Sequence, residues 1–248
     1  MKRLLLLFLL SAPSFAGTVI DYDCHTNASA SYSFTTRVSI DGPNARFDVL
    51  EGTHPVFNPK ITVISRDEGV TLVVIDHKQH TYFYRKTAPM SGPLATWRAP
   101  GIVSESNVRF DIEPAGKATV AGREVQEHRA HASYDLKLKI EDEALSAHVD
   151  AQASLSMMKM RNEALPFGVV FAFKSGFPSL DRRIERSLPR LGIPLKLTLI
   201  VTRTISGGNP IREEFTATAT NVTEEKLDPS LFLAPPGYQF REPTFGYE

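Results

Sequence analysis

Apolar and polar residues alternate with a period of two over most of this chain, and that period belongs to half-buried β-strands. From Ser31 to Ile40, the side chains of Tyr32, Phe34, Thr36, Val38 and Ile40 fall on one face. The turn cluster Asp41-Gly42-Pro43-Asn44 follows, and Ala45, Phe47 and Val49 resume the alternation. Ile61, Val63 and Ser65 repeat the pattern, Asp67-Glu68-Gly69 turns the chain, and Thr71–Ile75 is apolar and β-branched. After a turn at Asp76–Gln79, Thr81-Tyr82-Phe83-Tyr84 is a strand by composition. Strand signals return at Val108–Ile112, at Glu124–Ile140 and at 147–159, where Val149, Ala151, Ala153, Leu155 and Met157 alternate. Helix is the rival over 147–159, because Ala and Met are good helix formers. Pro194–Thr204 and Ile211–Val222 are joined through Gly207-Gly208-Asn209 as a last hairpin. Strands do not alternate with helices, which excludes a parallel α/β sheet. The expected class is mainly β, an antiparallel meander.

Two stretches break the rhythm. Residues 87–104 hold Pro89, Pro93 and Pro100 around Trp97 and predict a long loop. Residues 164–191 predict a helical insertion. Ala164–Phe173 carries no charge, and Phe167 and Phe171 stand four apart. Ser179 is placed to cap a helix on which Leu180, Ile184 and Leu188 share an arc of about 80°. Arg182, Arg183, Arg186 and Arg190 fan over its other side, and Pro189 stops it near Leu188.

The first residues predict an address rather than structure. Lys2 and Arg3 precede the apolar run Leu4–Leu10, and Ser14-Phe15-Ala16 puts small residues where a signal peptidase reads. Residues 1–16 are expected to be a signal peptide cut after Ala16, leaving one domain over 17–248. Gly17 is not the cysteine that lipid anchoring needs, so the expected location is periplasmic or secreted. No later run of the chain is long and apolar enough to span a bilayer as a helix. Lys and Arg number 28, as do Asp and Glu. That balance gives no basic field for nucleic acid.

The chain's ends carry a resemblance. Leu227-Asp228-Pro229-Ser230-Leu231-Phe232 followed by Pro235-Pro236-Gly237-Tyr238, with Ile40-Asp41-Gly42 and Arg46-Phe47-Asp48 near the start, resembles exported bacterial proteins of a domain of unknown function. These are similar to the lipoprotein-carrier superfamily, of LolA, LolB and RseB type. The resemblance implies an antiparallel sheet curled into an incomplete barrel, with helical structure over one opening. It also implies a concave face that holds an acyl chain or hydrophobic peptide segment. No ligand residue transfers by motif.

Chemistry-bearing residues are sparse. His77 and His80, and His128 and His131, have metal-like spacing, but positions i and i+3 on a strand face opposite ways. Surface histidines without metal are expected. Cys24 is the single cysteine. It is read as a buried small apolar residue rather than a nucleophile. No catalytic or phosphate-binding glycine motif is present, and no cofactor is expected. The leading reading is a non-enzymatic cell-envelope carrier or sensor of a lipid or other hydrophobic ligand, with a possible envelope protein partner. Its cover is expected to use Phe167, Phe171, Phe173, Phe177, Leu180 and Ile184. The alternatives are an exported hydrolase built from scattered His, Glu and Ser, and a protein–protein interaction module.

Overall fold

The computed structural model describes residues 17–27, 31–53, 60–66, 71–86, 102–140, 143–159 and 178–242. Among these residues twelve strands form one sheet. In chain order they are β1 (Gly17–Asn27), β2 (Ser31–Asp41), β3 (Asn44–Gly52), β4 (Ile61–Arg66), β5 (Thr71–Asp76), β6 (Thr81–Lys86), β7 (Ile102–Val120), β8 (Arg123–Ile140), β9 (Glu143–Met158), β10 (Ile193–Ile205), β11 (Ile211–Glu225) and β12 (Gln239–Phe240). Among the described residues one helix, α1 (Pro178–Ser187), precedes a 3-10 turn at Leu188–Arg190. The expected mainly β class holds, and 147–158 is strand rather than helix.

Two meanders make the sheet. β1 to β6 run one way from the centre, and β11 back to β7 run the other. β1 and β11 join them through an antiparallel ladder from Gly17↔Glu225 to Asn27↔Glu214. The last hairpin is therefore central rather than peripheral. Among the described strands, only β12, laid on β6, is parallel to its neighbour. The sheet does not close into a barrel, and β12 and β7 are its outermost strands. β7 is far longer than the sequence reading of 108–112, and its start reaches into the expected loop at 87–104. The remainder of that loop, 87–101, lies outside the described residues.

Registered alternation makes one face largely apolar. Ile20, Val38, Phe47, Val63 and Val74 follow each other across β1 to β5. Leu197, Leu155 and His128 do so across β10 to β8. The sheet curls around this face. Val125, at the start of β8, is buried in one cluster with Ile20, Ile40, Ile193 and Val222, although three strands separate β8 from β1. Tyr22 reaches over its partner Ala219, and its hydroxyl donates to the Pro194 carbonyl at 2.7 Å. A bulkier residue at position 219 would close that path.

The outer face is polar except where the tail covers it. Val19, Ile64, Val73 and Ile75 pack against Leu227 and Phe232. That explains why Thr71–Ile75 is apolar throughout: β5 buries Leu72 and Val74 on one face and Val73 and Ile75 on the other. Asp228 caps the tail's 3-10 turn, Pro229–Phe232, by accepting from the Ser230 amide at 2.8 Å.

Candidate functional site

The inner face between β7 and β10 is the candidate site. Its floor comes from alternate residues of three strands: Ala132, Tyr134 and Leu136, then Ala147, Val149 and Ala151, then Leu197, Leu199 and Val201. Small residues on β8 and β9 leave the floor low, and α1 fills the space above it. Leu180, Ile184 and Leu188 point into this cluster at 0%, 2% and 4% exposure. Arg182, Arg183, Arg186 and Arg190 are exposed. The one-stripe reading of this helix therefore holds for the described residues. Phe167, Phe171, Phe173 and Phe177 lie outside them.

Ser179 does not cap the helix as expected. The helix begins at Pro178, whose missing N–H costs nothing at a first helical position. The Ser179 amide, one of the donors that a helix start leaves without an internal partner, donates instead to Glu105 Oε1 on β7 at 3.0 Å. Oε2 of Glu105 is buried and makes no hydrogen bond among the described residues.

Glu105 belongs to a charged corner in an otherwise apolar surface. Arg203 continues the inward row of Leu197, Leu199 and Val201, yet its side chain is only 1% exposed. Its Nη1 forms an ion pair with Glu213 Oε2. Burial lowers the Arg203 guanidinium to about 10, against the stabilising influence of nearby Tyr134. Burial drives the Tyr134 phenol well above its ordinary value; the Arg203 charge opposes the shift, and Asp181 and Glu105 add to it. The sequence reading missed this corner. The signal was present in the alternation of Leu197–Arg203, which places an arginine in an inward position.

Two of the four paired histidines depart from the expected surface position, while His80 and His131 are exposed. His131 is exposed and pairs with Asp150 at 2.6 Å. His128, however, is buried, and burial lowers its pKa. Strand parity explains the split, since the two residues occupy opposite faces. His77 is half-buried in a polar chain on the outer face. Thr62 gives its single hydroxyl proton to Asp48. His77 Nε2 must then donate to Thr62 Oγ1, at 2.8 Å, and Nδ1 accepts from the Tyr238 hydroxyl at 2.9 Å. Arg46 grips Asp48 with two donors and gives a third to the Leu231 carbonyl at 2.9 Å. Burial, then the Arg46 charge, lowers the His77 pKa. This chain fastens the tail to β3, β4 and the turn after β5.

Cys24 is buried in β1, with Thr36 Oγ1 3.9 Å from its sulfur. Burial pushes the thiol up to about 11, the opposite of activation. Among the described residues, no group of three or more His, Cys, Asp and Glu is arranged to hold a metal ion. No described helix is long and apolar enough to cross a membrane.

No family model matches the chain, and no curated protein matches it. Among solved structures it is similar to a LolA superfamily protein from Nitrosomonas europaea. That match has 10% identity and a TM-score of 0.35, and covers 90% of this chain and 91% of the other. It is also similar to a DUF1329 family protein from Desulfovibrio piger, at 10% identity and a TM-score of 0.35, covering 89% of this chain and 91% of the other.

Proposed function

We propose that the protein is a non-enzymatic carrier or sensor of the cell envelope that holds an acyl chain or similar apolar ligand on the inner face, beneath α1. In this reading residues 1–16 export the chain and 17–248 act as one domain. The observation that carries it is the helix itself. α1 is an amphipathic element laid on a low apolar floor, with Leu180, Ile184 and Leu188 inward and its arginines outward. A cover attached through one aliphatic stripe can lift and return that stripe to apolar surroundings, whether floor or ligand. The corner of Glu105, Tyr134, Arg203 and Glu213 supplies polar partners for a head group at one end of that floor.

Solvent extraction of the protein purified from its exporting host, followed by mass spectrometry, tests the reading. An acyl lipid recovered at about one per chain is expected. Hydrogen exchange of α1 should slow when fatty acid or phospholipid is added to delipidated protein. No recovered lipid, together with unchanged exchange on lipid addition, would overturn it.

A further inference from the structure

The two ends of the sheet are treated differently. β6 carries β12 on its edge, and the ladder is continued by Arg241, whose amide donates to the Tyr82 carbonyl at 2.9 Å. β7 has β8 on one side and, among the described residues, no strand on the other. It is also the longest strand, at 19 residues. An edge of that length is a template for another strand unless something blocks it.

Irregularities partly block it, the first a register shift between Ile102 and Ser104. The β7–β8 register shifts between Ser106 and Arg109, where Asn107 has φ of 54°, and again between Pro114 and Gly116. Between the last two shifts Arg109–Pro114 is regular, and Pro114, which has no N–H, closes the window. Within it, Arg109, Asp111 and Glu113 are exposed, while Phe110 and Ile112 pack partly against the inner cluster. Among the described residues, neither Arg109 nor Asp111 has an ion-pair partner.

We infer that β7 pairs antiparallel with β7 of a second copy of this chain, centred on Phe110 near the start of the regular window. The charges select the occupant and the register. Centring on Phe110 sets Arg109 opposite Asp111 of the second copy, twice by symmetry, on the outer face. Centring one residue later would also give two opposite-charge pairs, Arg109 with Glu113, but would set Asp111 against itself between them, and like charges directly opposite each other repel. On the inner face the same register stacks Phe110 on its own copy and Val108 on Ile112. The apolar inner surface then runs on from one copy into the next. This pairing stands whether or not the inner face carries a lipid.

Sedimentation equilibrium of the exported chain tests it. The wild type should be dimeric. Arg109→Asp sets acid against acid, and Asp111→Arg sets base against base. Each variant alone should raise the dissociation constant about tenfold or more. An equal mixture of the two should form the mixed dimer, because every facing pair is complementary again. Both positions are exposed, and circular dichroism checks that the fold is kept. A monomeric wild type, single variants that dimerise as well as wild type, or a mixture that stays monomeric would each overturn the inference.

Discussion

Leu180→Ala separates a movable cover from ordinary core. Leu180 is fully buried against the floor of β8, β9 and β10. Truncating a leucine at such a position costs about 2–4 kcal/mol in lost transfer energy and residual cavity. Where that cost appears depends on how α1 opens. If α1 leaves the sheet as its own unit, the whole cost falls on the local opening equilibrium. Amide exchange across Leu180–Leu191 should then accelerate about 30- to 1,000-fold, at roughly 1.4 kcal/mol per decade. Exchange in β9 and β10 should stay near its wild-type rate, because their ladders are complete without the helix. Hydrogen exchange read by mass spectrometry resolves the two regions. Equal acceleration of the helix and of Ala151–Met157 would refute the reasoning, since the helix would then open only with the sheet beneath it.

The buried thiol should be inert. At pH 8 a group with a pKa of about 11 is about one part in a thousand thiolate, so a disulfide reagent should label Cys24 only after denaturation. Because the folded state holds this proton more tightly, the thiol's contribution to stability should fall between pH 9 and 11. Cys24→Ala should remove that part of the dependence; labelling of the native protein within seconds would contradict the burial. His77 and His128 shift the other way, both lowered from 6.5. The unfolded chain takes up their protons first, so unfolding free energy should drop as pH falls below about 6.5. His77→Gln should flatten that slope in urea titrations, and an unchanged slope would place His77 outside it. Gly192 has φ of 107°, and a Cβ there would sit 2.0 Å from the Met158 carbonyl oxygen. Gly192→Ala should therefore cost more than about 1 kcal/mol, measured as a lower thermal midpoint. A neutral result would show that the entry to β10 relaxes freely.

Local chemistry made much of this protein legible in the chain alone. Period-two alternation named most strands, because the pleat turns successive side chains to opposite faces whatever the sheet around them. Leu180, Ile184, Leu188 and the arginines between them specified an amphipathic helix for the same kind of reason, its period being a property of the backbone. Burial of Cys24 followed from its place on an alternating strand. Other features came only with the tertiary arrangement, because they depend on which strands become neighbours. Alternation is silent on strand order. Only the β1–β11 ladder shows that the last hairpin lies in the middle of the sheet and that β12 returns to the far edge. His77 and Tyr238 are 161 positions apart, and nothing local forecasts their hydrogen bond. The charged corner belongs to the same class. Glu105, Tyr134, Asp181 and Arg203 come from β7, β8, α1 and β10. Each is an ordinary residue on its own element, and only the folded sheet and helix bring them together, with Tyr134 and Arg203 buried.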